Sequence, residues 1–338
     1  MKRICHLNVR GFILAAVFSA VLGFGTSASA QQVERSYLID LNSKTVTDLG
    51  TLGGAESVAF GVNEAGQVVG YSYTAGGARH AFITGDDGMG MRDLGTLGGA
   101  SDSEAYGINN AGQVVGSSGD GVDSHAFITG PNGMGMRDLG TLGGTGDIYN
   151  VASNINDAGQ VAGSSYTAGG RGAPHAFITG PNGVGMRDLG TLGGFESYAG
   201  GINDAGQVVG YSETAGGADH AFITGPDGMG MRDLGTLGVP GPRDLISAAD
   251  INDAGEVVGY SQPEGDFLNR HAFITGSDGE GIMDLNSLVD VPGMILTRAN
   301  GINNAGQVTA VGTIPEPEVY ALFLAGLGLV GFMTRRRR

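Results

Sequence analysis

Histidine recurs at one position of the chain, at the start of an HAFITG motif. The five copies begin at His80, His125, His175, His220 and His271. A ring of histidines is a metal-binding arrangement in principle, because the imidazole nitrogen is a common ligand. If the repeats that carry these histidines are arranged in a circle, however, side chains at equivalent positions of their outer strands lie far apart and cannot share one metal ion. We therefore expect each histidine to open a strand with a ring nitrogen bonded to the backbone.

Carboxylates offer a second kind of cation site. Loops 85–88 (GDDG) and 277–280 (SDGE) supply oxygen ligands of the type that Ca²⁺ prefers. No loop reproduces a complete EF-hand or nonapeptide calcium pattern, so solvated turn carboxylates are the competing interpretation. The sequence thus predicts no cofactor and no metal ligands, with Ca²⁺ as the cation left open.

A recurring arginine precedes an aspartate in the motif MRDLG. The four copies are Arg92, Arg137, Arg187 and Arg232. Adjacent residues of a strand point to opposite faces, so we expect these arginines to form ion pairs between neighbouring sheets rather than to bind a ligand.

Catalytic residues are normally singular, whereas almost every notable residue of this chain recurs. No pair of carboxylates stands apart from the repeats, and the glycine-rich GMGM segments lack the Lys-Ser/Thr of a phosphate loop. We expect no catalytic residues and predict that the protein is not an enzyme.

The composition narrows the class of protein further. Glycine accounts for 65 of the 338 residues, and Cys5 is the single cysteine. Residues 31–314 hold 11 lysines and arginines against 32 aspartates and glutamates, a net charge of −21. Such a body is repelled by nucleic acid and by bare anionic lipid.

Self-similarity organises the middle of the chain. A block N-x-A-G-Q-V-V-G, or a close variant, occurs six times at spacings of 46, 47, 47, 49 and 51 residues. The copies begin at Asn63, Asn109, Asn156, Asn203, Asn252 and Asn303. Each repeat contains four short runs rich in β-branched or aromatic residues and bounded by turn residues. In the second repeat these runs are 104–109, 113–118, 125–129 and 136–142, which predicts four antiparallel strands.

Four strands in about 47 residues match the blade of a β-propeller. We predict an all-β, six-bladed propeller over residues 31–312, in which the isolated hairpins 37–52 and 299–312 pair to close the ring. An alanine four residues before each Asn suits a crowded innermost strand. The HAF phenylalanines should pack between blades.

The HAF triplets and the D-L-G segments that follow them resemble the HAF family of extracellular bacterial repeats. The resemblance covers most of residues 37–312 and implies an exported protein. It implies no known chemistry.

The N-terminus has the features of a secretory signal. A basic start, the apolar stretch 11–25 and the small residues Ala28 and Ala30 predict a signal helix over residues 1–30 that signal peptidase removes before Gln31. An uncleaved anchor helix is the alternative, but the apolar stretch is short for a membrane span.

The C-terminal segment, residues 313–338, has three parts in order. Pro315, Glu316 and Pro317 come first, an uncharged stretch over 319–333 follows, and the chain ends in Arg335, Arg336, Arg337 and Arg338. We expect a short transmembrane helix whose arginine cluster stays cytoplasmic. An ordinary anchor with a stop-transfer cluster is the alternative.

This tripartite tail resembles the PEP-CTERM sorting signal of Gram-negative bacteria. The resemblance implies recognition by exosortase, a membrane-embedded processing enzyme, in bacteria that make exopolysaccharide. It also implies export across the inner membrane, C-terminal anchoring at least until processing, and a final place at the cell surface or outside the cell.

These observations predict an exported structural or binding module that associates with exopolysaccharide. An acidic body should bind neutral glycans, or acidic ones through bridging divalent cations. The alternatives are a glycan-cleaving enzyme, which a unique acidic pair in an axial pocket would favour, and a protein-binding adhesin, which an exposed apolar patch would favour.

Overall fold

The computed structural model describes residues 36–40, 45–120, 123–144, 149–168, 173–237, 245–262, 270–289, 295–304 and 306–313. The chain divides into two units, residues 1–33 and 34–338, and all described residues belong to the second. In the described part this unit contains strands and short 3-10 turns but no α-helix. The all-β prediction is confirmed, while the predicted signal helix and transmembrane helix lie outside the described residues.

Twenty of the strands form five antiparallel meanders of four strands each, and a parallel bridge between Asp219 and Leu245 joins the last two into one sheet. They are β3 (Gly53–Val62), β4 (Val68–Thr74), β5 (Arg79–Ile83) and β6 (Arg92–Gly95); β7 (Asp102–Ile108), β8 (Val114–Gly119), β9 (Ser124–Gly130) and β10 (Met134–Asp138); β11 (Asn150–Ile155), β12 (Val161–Tyr166), β13 (Pro174–Gly180) and β14 (Val184–Asp188); β15 (Gly193–Ile202), β16 (Val208–Thr214), β17 (Asp219–Thr224) and β18 (Met231–Asp233); and β19 (Leu245–Ile251), β20 (Val257–Gln262), β21 (His271–Ile274) and β22 (Met283–Asp284). Two hairpins flank them, β1 (Tyr37–Asp40) with β2 (Thr45–Asp48) and β23 (Ile295–Ile302) with β24 (Val308–Thr313).

The strands of the second repeat lie where the sequence predicts them, except for the last. Strand β10 ends at Asp138 rather than at Leu142. The Asp138 carboxylate accepts the backbone N–H of Gly140 at 2.8 Å, and Gly140 has φ of 81°. This Asx turn, which needs a positive φ that glycine adopts freely, stops the strand.

The turn between the first two strands of each repeat is held by its asparagine. Asn109 Oδ1 accepts the backbone N–H of Gln113, four residues on, at 2.9 Å. Gly112 closes the turn with φ of 71° and donates its N–H to the Asn109 carbonyl.

The HAF phenylalanines form the core between consecutive sheets, as predicted. Phe82, Phe127, Phe177, Phe222 and Phe273 are each 0% exposed. Phe127 of the second sheet packs against Val69 and Ile83 of the first, and the same arrangement repeats at the next boundary. Burial of each such side chain stabilises the fold by roughly 1.5–3 kcal/mol.

Every first strand contains a one-residue β-bulge at the same position. In β7 the pairing register shifts between Ala105 and Gly107, so that Tyr106 has no partner on β8. The six bulge residues are Phe60, Tyr106, Ser153, Gly200, Ala249 and Asn300. A bulge bends the strand and redirects a side chain, and here it does so once per repeat.

The two flanking hairpins occupy places that the repeat assigns to them. The backbone N–H of Ser36 donates to Ser57 Oγ, as Ala81 N–H donates to Ser103 Oγ one repeat later. Hairpin β1–β2 therefore lies against β3 as an outer hairpin lies against the next inner strand. In the described residues, however, β1 pairs only with β2 and β24 only with β23.

Candidate functional site

The six N-x-A-G turns converge on one cavity of about 540 Å³, here called the turn cavity. Its walls carry the asparagines that open the turns: Asn63, Asn109, Asn156, Asn203, Asn252 and Asn303. The inner strands of the first and last repeats therefore face the same central space.

Hydrogen bonds link successive turns around this cavity. Each asparagine from Asn63 to Asn252 donates through Nδ2 to the backbone carbonyl of the asparagine one repeat later, at 3.0–3.3 Å. Asn109, Asn156 and Asn203 are almost fully buried. The repeated asparagine is thus a bracket between sheets, and it satisfies polar groups that would otherwise be buried without partners.

The carboxylates at the turn cavity are engaged in the same scaffold. Asp157 Oδ1 accepts the backbone N–H of Asn110 at 2.9 Å, and Asp204 Oδ1 accepts that of Asp157 at 3.0 Å. Asn110 and Asn304 accept equivalent bonds without a charge. The position therefore needs a side-chain acceptor rather than a negative charge.

Five of the six bulge residues, all but Ser153, line a second central cavity of about 850 Å³, here called the bulge cavity. Phe60 and Tyr106 contribute aromatic rings from β3 and β7. Gly200 contributes only backbone, Ala249 contributes a methyl group and Asn300 contributes an amide. The cavity is consequently asymmetric although the scaffold around it repeats.

One position beyond the bulge breaks the repeat with two polar side chains. Four repeats have glycine there (Gly61, Gly107, Gly201 and Gly301), while the third has Asn154 and the fifth has Asp250. Both polar residues line the bulge cavity, and among its lining residues Asp250 is the one carboxylate. The sequence analysis missed them, although a polar residue at a glycine position was the available signal.

Asp250 is held by the backbone of the next repeat. Its Oδ2 accepts the N–H of Ile302 at 3.0 Å. A Cβ on Gly201 would lie 2.9 Å from Asp250 Oδ1, so glycine at 201 leaves room for the carboxylate. Burial raises the pKa of Asp250 to about 6, although hydrogen bonds from the backbone of Ile302 and Ile251 partly oppose the shift.

Tyrosines surround the same end of the inner strands. Tyr198 stacks on Tyr211 with ring centroids 4.8 Å apart. With Tyr260 and Arg298 they line a groove of about 230 Å³ that shares Gly200 and Ala249 with the bulge cavity. Burial, aided by the charge of Glu196, raises the pKa of Tyr198 and of Tyr211.

The HAF histidines have a different partner from the one predicted. Nδ1 of each histidine lies 2.5–3.0 Å from the carboxylate of the DLG aspartate thirteen residues later, not against the backbone. The other carboxylate oxygen usually caps the following turn, as Asp93 Oδ1 does for Gly95. Each dyad therefore ties the third strand to the end of the fourth.

At Asp284 the dyad has an electrostatic consequence. Burial alone would raise the pKa of this carboxyl, but hydrogen bonds from His271 and Asn286 outweigh it and lower the pKa.

The MRDLG arginines fit the prediction of ion pairs between sheets at one position, where Arg232 Nη1 lies 3.9 Å from Glu280 Oε1 of the next repeat. In the described residues all four arginines also donate to backbone carbonyls of the next repeat. Arg92 Nη2 donates to the Asn132 carbonyl at 2.6 Å, and Arg137 Nη2 donates to the Asn182 carbonyl at 2.8 Å. Arg187 and Arg232 donate in the same way to Asp227 and Asp278. The guanidinium is attracted to these carbonyls because the turns present them outward to the preceding sheet.

The loops considered for calcium serve as turns. Asp87 and Asp278 have left-handed backbones with φ of 56° and 54°, and Asn132 and Asn182 adopt the same conformation at the equivalent positions. Asn and Asp tolerate this region better than other non-glycine residues. In the described residues, no three His, Cys, Asp or Glu side chains are grouped as a metal site.

The residues of the two terminal signals, Ala28 and Ala30 at one end and Pro315 to Pro317 and Arg335 to Arg338 at the other, lie outside the described residues. Within the described ranges the structure holds no helix with the length and hydropathy needed to cross a bilayer.

Comparison with known families identifies the C-terminal segment. The model of the PEP-CTERM protein-sorting motif matches residues 313–338. The chain therefore carries this sorting signal, which implies export, processing by exosortase and C-terminal membrane anchoring before processing. No curated protein matches the chain.

Comparison with solved structures identifies the fold of the body. A protein described as TolB from Agrobacterium tumefaciens matches with a TM-score of 0.50 and 13% identity, over 74% of this chain and 87% of that one. A puromycin-hydrolyzing peptidase of Mycobacterium tuberculosis matches with a TM-score of 0.50 and 14% identity, over 76% of this chain and 42% of that one. The likeness shows a propeller-type fold.

TolB from Acinetobacter baumannii is also similar, with a TM-score of 0.48 and 10% identity, over 72% of this chain. The chain spans 57% of the length of that protein.

Proposed function

We propose that this chain is an exported, exosortase-sorted protein whose body is a six-bladed propeller that binds glycan in an extracellular polysaccharide matrix. The observation that carries the proposal is that each first strand combines a constant structural residue with a variable cavity-lining residue. The asparagine that opens the turn recurs in every repeat, whereas the bulge residues that line one central cavity differ from repeat to repeat. A constant frame around a varied cavity is what a binding module requires.

Closure of the ring is part of the proposal. Hairpin β1–β2 docks on β3 as an outer hairpin, and β23 faces the central cavities as an inner strand. Pairing of β24 with β1 would complete the sixth sheet. Tyr37 and Val311 are 52% and 45% exposed, and a joined sheet would cover them.

The single carboxylate of the bulge cavity favours binding over hydrolysis. Glycosidases generally use a pair of carboxyl groups on either side of the scissile bond. Asp250 has no second carboxylate among the residues that line its cavity. It can accept hydrogen bonds from a ligand, but no partner is in place to share acid and base roles with it.

The net charge of the body determines which polysaccharides it can bind. A body with a charge of −21 over residues 31–314 repels polyuronates and sulfated polymers. Neutral glycans bind directly in this proposal, and acidic ones bind only when divalent cations bridge the two. The surface of a Gram-negative cell, or the matrix around it, is the proposed destination.

The test uses the protein produced in its own host with and without exosortase. Mass spectrometry of the mature C-terminus should show loss of the arginine cluster only when exosortase is present. In the same cultures the protein should fractionate with the polysaccharide matrix, and a chelator should release it from acidic polymers only. An intact arginine tail in the normal cells, or a protein absent from the matrix fraction, would contradict the proposal.

A further inference from the structure

We propose, on the basis of the glycan-binding function above, that the bulge cavity is the sugar site and that it binds a neutral pyranose ring. The apolar face of the ring stacks on Phe60, and its hydroxyl groups bond to Asp250 and Asn154. The site adjoins the turn cavity and shares five lining residues with it, Asn154 among them. Because Asn154 Oδ1 accepts the Ile155 N–H at 2.8 Å, its Nδ2 is the group that donates to the sugar.

Phe60 has the features of a stacking platform. Its side chain lines the bulge cavity and is 49% exposed, although phenylalanine is usually buried. Tyr71 and Tyr106 hold the ring on two sides, with centroid distances of 5.8 and 5.5 Å. An exposed aromatic ring fixed by neighbours offers a flat apolar surface at little cost in side-chain entropy.

The tyrosines that hold Phe60 are themselves fixed by polar contacts. The Tyr106 hydroxyl donates to Glu104 at 2.8 Å, and Glu104 pairs with Arg79 at 2.7 Å. The Arg79 guanidinium lies over the Tyr71 ring, 5.2 Å from its centroid. The platform is therefore organised before any ligand arrives, which favours binding.

The polar groups of the cavity come from different repeats than the aromatic ones. Asp250 lies on β19 and Asn154 on β11, while Asn300 lies on β23. A carboxylate accepts hydroxyl protons and an amide both donates and accepts, so together they match the edge of a polyol. A pyranose ring presents an apolar face and an edge of hydroxyl groups. The aromatic rings on one part of the cavity wall match the face, and the hydrogen-bonding groups on another part match the edge.

Size and charge restrict the ligand further. The cavity, at about 850 Å³, has the dimensions of a small-molecule site and admits a short oligosaccharide. Asp250 disfavours a sugar acid, because two carboxylates would meet in a poorly solvated space. Since an ammonium ion could also lie between a carboxylate and an aromatic ring, the test includes one.

The experiment measures binding of cellotriose, maltotriose, xylotriose and tetramethylammonium to the host-secreted protein by calorimetry and NMR. At least one trisaccharide should bind, and Phe60→Leu and Asp250→Asn should each weaken its binding by roughly tenfold or more. Phe60→Tyr keeps the ring and should bind within about twofold of the native protein. Asparagine at 250 is tolerated by the strand, since the third repeat has it at the equivalent position.

The matched control is Phe195→Leu, because Phe195 is 80% exposed and does not line the cavity. Its trisaccharide affinity should be unchanged. Binding of tetramethylammonium without any trisaccharide, or equal loss in the control variant, would overturn the sugar site.

If the native protein is retained by its host polysaccharide and Phe60→Leu and Asp250→Asn leave retention unchanged, the cavity assignment fails while the proposed function stands. If the native protein is not retained, the proposed function itself fails.

Discussion

Asn156 joins two successive repeats with one side chain. Its Nδ2 donates to Gln160 Oε1 at 2.8 Å within its own turn and to the Asn203 carbonyl at 3.0 Å in the next, while its Oδ1 accepts the Gln160 N–H at 2.9 Å. The residue is 4% exposed. Sheet-to-sheet order at the centre therefore depends on a buried amide as well as on apolar packing.

Replacing this amide should be costly. Asn156→Ala removes three hydrogen bonds, leaves the buried Gln160 N–H without its acceptor and leaves the Asn203 carbonyl with the Gly206 N–H alone, so we expect a loss of about 2–3 kcal/mol in the free energy of unfolding. Chemical denaturation measures it. Asn110→Ala, at an exposed position of the neighbouring turn, is the control and should lose less than about 1 kcal/mol. Equal stability of the two variants would show that the bracket contributes nothing.

The second strand of the repeats should not tolerate a side chain at its central glycine. A Cβ on Gly210 would lie 1.9 Å from the Tyr198 carbonyl, so Gly210→Ala forces the strands apart. We expect a destabilisation of at least about 3 kcal/mol, or failure to accumulate folded protein. In Gly216→Ala the new atom meets nothing closer than 3.7 Å, and thermal unfolding should be nearly unchanged. A similar melting temperature for both variants would contradict the close approach.

Asp250 predicts a pH dependence of stability. Its pKa of about 6 in the folded state exceeds the unfolded value of 3.8, so the folded state binds more protons between these pH values. The free energy of unfolding therefore falls as pH rises from about 4 to 6, and the full penalty of about 2–3 kcal/mol is present above pH 6.

Asp250→Asn should remove this penalty. The variant should be more stable than the native protein at pH 7 to 8 and lose the advantage near pH 4, because asparagine keeps the acceptor for the Ile302 N–H and carries no charge. Denaturation curves across this range measure the difference. A stability difference that does not change with pH would rule out a raised pKa at this carboxyl.

Three buried tyrosines predict that the protein also loses stability at high pH. Burial raises the pKa of Tyr106, Tyr198 and Tyr211 in the folded state, so the unfolded chain loses these protons first. Stability should fall as pH rises above about 10, the ordinary tyrosine value. Phenolate absorbance should show these side chains ionising together with unfolding, whereas the protein in denaturant titrates in one step. Complete and reversible ionisation with the fold intact would contradict the shifts.

Periodicity explains how far the sequence could predict this architecture. The strands of each repeat and the buried phenylalanines follow from repeated motifs and local turn chemistry, as at Asn109 and Gly112. The partners of His125 and Arg137 could not be predicted, because they depend on which residues a neighbouring strand or sheet brings close. Both side chains reach across strands to atoms that no local pattern identifies.

The bulge was detectable but was not recognised. Ala105 and Ile108 are both buried, and they are three residues apart, which a strand with strict alternation cannot achieve. One extra residue between them, the bulge residue, places both side chains on the buried face of the strand. The role of Asp250 depends in turn on this bulge, since the side chain meets the cavity only after the strand has bent.

The bulge residue has no cross-strand partner in any of the six inner strands, which gives the cavity an unusual freedom to diverge. A codon change at Phe60, Ala249 or Asn300 alters the wall of the cavity without disturbing a ladder pair. Related chains can therefore acquire different ligand preferences through single mutations while folding in the same way. Selection for a new ligand and selection for stability act here on separate sets of positions.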